Sequence, residues 1–242
     1  MIRVDRFLGT MGAGSRSDIK KYIKAGRVSL EKDGQRRAIS DPSEKIPEDS
    51  VLIFDGRELR YEEYQYFLLN KPAGVLTAVS DRTRTTVLDL VKGEGIRTDI
   101  VPVGRLDMDT EGLLFLTNDG ALVHKLESPA SGIEKEYEAV LDREVSDEMK
   151  ARMIREFASG LEVIESDKGG DAFFARPAKL TFPGSDSRLA RVILTEGRYH
   201  QVKRMFLTEG YTVVKLKRLR EGRILLPDDL AEGCFNKVEK MV

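Results

Sequence analysis

The sequence predicts an α+β protein in two parts: a small helical and stranded unit over residues 1–60, then a larger domain over 61–242 built on a mostly antiparallel sheet with flanking helices. Three observations predict it. Strand-length apolar runs are joined by turn dipeptides such as Asp55-Gly56 and Glu196-Gly197, not by long crossovers, which favours antiparallel neighbours. Segments 146–159 and 200–208 carry helical periodicity. A charged stretch, 57–64, reads as the link between the parts. With 242 residues, 40% hydrophobic and 33% charged, the chain can bury a core of that extent.

The first unit opens with a short helix over 5–11, broken at Gly12-Ala13-Gly14. Ser15 or Ser17 can cap the next helix, because a serine oxygen accepts from the free amides of a first turn. That helix runs to about Ala25, with Ile19, Tyr22 and Ile23 on one face and Lys20, Lys21 and Lys24 on the other, and Gly26 ends it. Strands follow over 28–30 and 51–54, with turns at Asp33-Gly34 and Asp55-Gly56. In the second part, strands are expected over 66–69, 113–117, 137–141, 190–194 and 212–216. Asn118-Asp119-Gly120 reads as a turn, 146–159 as a helix, and 200–208 as a helix with Val202, Met205 and Phe206 inward.

Composition narrows the function. One cysteine, Cys234, forbids a disulfide within the chain, and with only two histidines a thiolate zinc site is implausible. Cys234 itself reads as structural, and His124 has no evident role. A reducing cytoplasm is the expected setting, since the N-terminus is charged from Arg3 onward and no apolar run approaches the roughly 20 residues that span a bilayer. No membrane partner is expected, and monomer is the default. There is no G-x-x-x-x-G-K-[ST] loop and no ligand cluster, so no nucleotide, metal or other cofactor is expected. The net charge of −1 hides its distribution: residues 1–37 hold ten Lys/Arg against four acids, and 198–223 hold eight against two. Acids concentrate over 44–63 and 142–167. Two basic patches on a neutral body suit local docking on phosphates.

The stretch most informative for chemistry is VGRLDMDTEGLLFLTNDG, residues 103–120. It places Asp107 in a loop before an apolar strand, with Gly104 and Gly112 taken as the glycines that bracket the loop. Asp107-Met108-Asp109-Thr110 is also similar to the D-x-D motif of haloacid-dehalogenase phosphatases. There the threonine falls one place early, and Gly104-Arg105-Leu106 is no apolar strand, which disfavours that reading.

Two resemblances sharpen the picture. The run RVDRFLGTMGAGSRSDIKKYIKAGRVSL resembles the S4 domain, an RNA-binding module. It implies that Arg16, Lys20, Lys24 and Arg27 grip an RNA backbone by charge. The second part resembles the RsuA family of pseudouridine synthases through four motifs in order: LLNKPAGV from Leu68, the GRLD stretch, KEYEAVL from Lys135, and LTEGRYHQVKRMF from Leu194. The reaction breaks the bond from sugar to N1 of uracil and rejoins the base through C5, with no redox change or energy input. It needs a carboxylate as nucleophile or base. The resemblance implies that Asp107 is that carboxylate, that Tyr137 stacks on the extruded uracil, and that the fourth motif supplies a cation, Lys203 first and Arg204 second. A carboxyl group taken from water tends to take up a proton, and a fixed cation reverses that. Arg105 is expected to hold the loop or a phosphate, or to fill the space of the flipped base. Asn70 and Lys71 are expected to shape the site and bind the substrate RNA, Lys71 through phosphate, and Arg198, His200 and Arg204 to contact RNA. The form EGRYHQVKRMF points to small-subunit 16S ribosomal RNA, free or in an assembly intermediate. The alternatives are the same chemistry on 23S RNA and a non-catalytic S4-type assembly factor.

Overall fold

A computed structural model describes residues 1–32, 34–128, 131–165 and 170–240. Asp33 of the expected Asp33-Gly34 turn, and Asp167 at the end of the acidic run, lie outside the described residues.

The first unit contains β1 (Ile2–Arg3), α1 (Val4–Thr10), α2 (Arg16–Lys24), β2 (Val28–Lys32), β3 (Gln35–Ala38), β4 (Lys45–Ile46), β5 (Val51–Phe54) and β6 (Arg57–Arg60). Ser15 caps α2, its Oγ accepting from Asp18 N at 3.3 Å. Asp55 and Gly56 both take positive φ, 48° and 83°, as a two-residue hairpin turn requires. That hairpin corrects one expectation. Residues 57–60 are not linker but a strand, β6, paired antiparallel with β5. Its Leu59 is buried, and charged flanks hid it. Val4, Phe7 and Leu8 of α1 and Ile19 and Ile23 of α2 close over Val28, Leu52 and Phe54 as a separate apolar cluster.

The second part contains β7 (Tyr66–Lys71), α3 (Val87–Leu90), β8 (Val101–Val103), β9 (Thr110–Thr117), α4 (Gly120–Glu127), β10 (Lys135–Leu141), α5 (Asp147–Ser159), β11 (Leu161–Val163), β12 (Phe173–Ala175), β13 (Lys179–Thr181), β14 (Leu189–Leu194), α6 (Gln201–Thr208), β15 (Val213–Glu221), β16 (Ile224–Leu225) and β17 (Phe235–Val238). The main sheet runs β13-β14-β10-β15-β9-β7-β17, with β8 on β9 and β16 on β15. Its pairings are antiparallel except β9 with β15. Residues along β7 and β9 alternate between two cores: Phe67, Leu69, Leu114 and Leu116 face α5 and α6, while Tyr66, Leu68, Leu113 and Phe115 face Leu122 and Leu230. Burial on both faces explains their unbroken apolar runs.

Asn118-Asp119-Gly120 is more than a turn. Asp119 Oδ1 accepts from Leu122 N at 3.1 Å and opens α4, because turn and N-cap chemistry share the same short acceptor side chain. Gly112 does not bracket the loop either; it lies inside β9, between Lys71 and Arg218. Its φ is +98°, and a Cβ there would come 2.3 Å from the Arg218 carbonyl oxygen. Gly112→Ala is therefore expected to destabilise the fold by about 2–5 kcal/mol. A thermal midpoint within a degree of the parent would contradict this.

Glu209 closes α6, with its side chain 2% exposed and Arg152 Nη2 3.7 Å away. Burial, then the hydrogen bond and charge of Glu156, push its carboxyl up to about 7, against the pull of Arg152. Arg155 faces Glu156 from the same helix. The folded chain thus keeps a proton that the unfolded chain releases between about 4.5 and 7, so this contribution is fully present below that window and is lost as pH rises through it. Denaturant midpoints at pH 5.5 and 8 should differ less in Glu209→Gln than in the parent. An equal difference in both would remove Glu209 as the cause.

The two parts meet through backbone. Gly95 N donates to Met11 O and Thr98 N to Thr10 O, each at 2.9 Å. A Cβ on Gly12 would lie 2.4 Å from Gly93 O, so only glycine allows this approach. Among the described residues, no helix is long and apolar enough to cross a membrane.

Candidate active site

Asp107 sits in the loop between β8 and β9, and that loop is held from several sides. Gly104 N donates to Glu127 Oε1 at 2.7 Å. Thr77 Oγ1 donates to Leu106 O at 2.8 Å. Thr110 N donates to Asp107 O at 3.1 Å, which closes a turn, and Gly74 N donates to Met108 O at 2.8 Å. Beneath the loop, Lys71 has 0% exposure. Its ammonium donates to the carbonyls of Pro72, Met108 and Thr110 at 3.0, 3.1 and 2.8 Å, using all three of its protons. Burial pushes it down to about 8, against the pull of Asp109, Asp107 and Glu111.

That arrangement corrects two sequence expectations. Lys71 cannot reach a phosphate; it fastens the loop from below. Asn70 is also buried, with Nδ2 donating to Leu230 O at 2.8 Å, so it ties two segments of chain together and does not contact RNA.

The fourth motif delivers its side chains from α6 and the turn before it. Lys203 Nζ lies 2.9 Å from Asp107 Oδ2 and 2.6 Å from Asp109 Oδ1. The ammonium thus fills the space between the two carboxylates, and Asp109, given no role in this chemistry by the sequence, shares it. His200 Nε2 lies 3.4 Å from the other oxygen of Asp107. His200 takes φ 51° at the start of α6 and stacks on Tyr199 with ring centroids 3.8 Å apart. Gln201 makes this bend possible. Its Oε1 accepts from Arg198 N at 2.9 Å, and its Nε2 donates to Glu196 Oε1 at 2.6 Å.

Arg204 is not the partner of Asp107 and is not presented to RNA. It is buried, with Nη2 donating to Ile164 O, Gly170 O and Asp171 O. One residue along a helix turns a side chain by about 100°, which sends Lys203 to the loop and Arg204 to the chain between β11 and β12.

Tyr137 is 9% exposed on β10 and lines the same cavity as Asp107, with Leu106, Leu194 and Leu216 as apolar walls. The cavity measures about 80 Å³. Burial raises the phenol above its ordinary value, the charge and hydrogen bond of Arg218 pull it down, and Glu221 and Asp107 raise it further. Arg105 and Arg198 stand exposed at the rim. Arg198 Nε lies 3.7 Å from Glu196 and its guanidinium covers the Phe173 ring.

Arg218 and Glu221 were missed. Both are buried, with Arg218 Nη2 3.3 Å from Glu221 Oε2 and Arg218 Nε donating to Leu113 O at 2.8 Å. A signal existed: Arg218 follows Leu216 by two along a strand, so it points inward. The second basic run accordingly presents fewer free cations than its charge count suggests. Arg204 and Arg218 are interior, Lys215 pairs with Glu111, and Arg220 pairs with Glu134 and Glu136. Cys234, expected to be structural, is exposed.

In the first unit, Arg16 and Lys20 line a concavity of about 920 Å³ with Arg3, Arg6 and Thr98. Lys24 is exposed on α2, outside that lining. Arg27 stays exposed but is held by Asp55 and lies over the Tyr22 ring at 4.1 Å. Its Nε and Nη2 are thereby engaged by Asp55.

A carboxylate with one oxygen on an ammonium and the other facing an imidazole, beside a tyrosine ring, can attack or deprotonate a ligand bound against that ring. Comparison with known proteins gives the class. Residues 65–208 match the model of the family described as RNA pseudouridylate synthase. An uncharacterized RNA pseudouridine synthase, YtzG, of Bacillus subtilis (strain 168) is 39% identical over 98% of this chain and 95% of its own. Ribosomal small subunit pseudouridine synthase A of Yersinia pestis is 34% identical over 97% and 93%. A crystal structure of a pseudouridylate synthase superposes with a TM-score of 0.63, at 31% identity, over 99% of this chain and 96% of that one. With a family match over more than half its length and full-length relatives at these identities, the chain belongs to the RNA pseudouridylate synthases, as an RsuA-like enzyme.

Proposed function

We propose that this enzyme converts one uridine of small-subunit ribosomal RNA to pseudouridine, with Asp107 as the catalytic carboxylate, Lys203 as its charge partner and Tyr137 as the surface on which the extruded uracil stacks. The observation that carries the reading is the meeting of Asp107 and Lys203, 96 residues apart in sequence and 2.9 Å apart in space, at the mouth of a cavity walled by Tyr137. The relative from Yersinia pestis, named for the ribosomal small subunit, supports the target.

The roles follow from the positions. The uracil leaves its stack and lies against Tyr137, a contact worth roughly 1–3 kcal/mol for an aromatic ring and a base. Asp107 meets the nucleotide at the cavity mouth. The N1 bond to the sugar breaks, the C5 bond forms, C5 loses its proton and N1 gains one. Lys203 orients Asp107 through Oδ2 and balances its charge, and His200 faces Oδ1. Lys71 keeps the loop from shifting beneath them. Arg105 and Arg198 at the rim meet RNA. The test of the target is a map of pseudouridines in ribosomal RNA from cells lacking the gene. One site lost from 16S RNA supports the reading, and a loss confined to 23S RNA overturns the small-subunit target.

Residues 1–60 act in this reading as an S4-like module that grips RNA, chiefly through the concavity of Arg3, Arg6, Arg16 and Lys20, with Lys24 at its edge. Neutralising Arg16, Lys20 and Lys24 together is expected to weaken RNA binding about tenfold or more. It should also flatten the plot of log affinity against log salt by roughly two units, at about 0.7–0.9 per phosphate contact. An unchanged slope would remove the module's RNA role.

A further inference from the structure

We propose that a second cavity, adjoining the Asp107 pocket, is a substrate subsite for the backbone phosphate next to the extruded uridine, with Lys135 as its cation. The inference rests on the reading of the Asp107 pocket as the uridine site. The second cavity measures about 520 Å³ and shares Arg105, Tyr137, Glu196, Gly197 and Arg198 with that pocket, so RNA leaving one enters the other.

Its walls are built for an anion. They carry five cationic side chains, Arg105, Lys135, Arg176, Arg198 and Arg218, against three carboxylates. The carboxylates are already engaged. Glu127 accepts from Gly104 N at 2.7 Å. Glu196 accepts from Arg176 N at 2.8 Å and Gln201 Nε2 at 2.6 Å. Glu221 faces Arg218 at 3.3 Å.

Lys135 is the half-buried cation of this wall that no hydrogen bond engages among the described residues. Its side chain is 18% exposed, and Glu221, at 3.8 Å, is beyond hydrogen-bonding distance. Among the described residues its ammonium donates no hydrogen bond. Burial also works against its charge, and an anion in the cavity would relieve that. A second donor points the same way: Arg218 Nη2, in a side chain 1% exposed, is ion-paired with Glu221 at 3.3 Å but makes no hydrogen bond, and belongs to a residue lining this cavity.

Strand geometry sets the spacing. Lys135 and Tyr137 are two residues apart on β10, hence on one face and about 7 Å apart. With the uracil against Tyr137, Lys135 stands at the scale of one nucleotide step along the chain. The register on β14 agrees, since Lys135 opposes Leu194 and Tyr137 opposes Val192, while on β15 an irregularity separates their partners Glu221 and Arg218. Loss of the lysine leaves Glu221 its pairing with Arg218, so a substitution at 135 leaves no carboxylate stranded.

The test uses the full chain and an RNA hairpin around the uridine that the native enzyme modifies. The hairpin is made with all phosphates charged, and with an uncharged methylphosphonate just 5′ or just 3′ of that uridine. Lys135→Met should raise KM about tenfold while kcat changes less than about threefold, and Lys135→Arg should stay within about threefold of native. One of the two neutral-phosphate hairpins should cost the native enzyme the same factor and cost Lys135→Met nothing further. Unchanged KM in Lys135→Met, or a full additional loss on both neutral hairpins, overturns the subsite while native activity leaves the uridine reading standing. A native enzyme that modifies no ribosomal RNA overturns the uridine reading and this one with it.

Discussion

Asp107→Asn is expected to lower turnover on the order of 10⁴-fold or more while RNA affinity stays within about threefold. The substitution is nearly isosteric. The amide oxygen still accepts from Lys203, where the carboxylate accepts at 2.9 Å, and the loop is fastened by contacts that do not involve the side chain: Gly104 with Glu127, Leu106 with Thr77, and Lys71 with two of the loop's carbonyls. What disappears is a group able to form a bond to the nucleotide or to take its proton. Single-turnover conversion alongside filter binding separates the two effects. Turnover within tenfold of native would remove Asp107 from the chemistry, and parallel loss of affinity would make it a binding residue.

Lys203→Met is expected to lower kcat by about 10²–10³-fold with little change in KM. Methionine matches the length of the lysine stem, and the side chain is 19% exposed, so the helix should keep its packing. The ammonium, however, stands between Asp107 and Asp109. Without it two carboxylates face each other across the space it filled, and Asp107 loses both its anchor and its counter-charge. Lys203→Arg should recover part of the loss. Equal losses in kcat and affinity for Lys203→Met would place the residue on the RNA backbone instead.

Much of this was legible before any coordinates. The Asp107 loop, the Ser15 cap, the helix near 146–159, the apolar core of α6 and the antiparallel character of the sheet all follow from local rules of spacing and capping. What stayed hidden depends on which face a charged residue takes. Lys71 and Arg218 read as surface by type, yet both lie within the sheet, where each finds backbone carbonyls to satisfy it. Arg204 and Lys203 are neighbours that a motif cannot separate, whereas a helix sends them to different partners. The pairing of Arg27 with Asp55 was hidden too, because it forms only when the hairpin turn brings Asp55 back to meet it. The α4 cap was masked because Asp119 reads equally well as a turn residue.

Tritium release is the measurement that bears most directly on the central claim. In small-subunit RNA labelled with tritium at uridine C5, rejoining the base through C5 expels the label from each uridine converted. The native chain, given free RNA and assembling particles, should release one tritium per RNA molecule and then stop. No release from either substrate, with the chain folded and bound to RNA, would contradict the account.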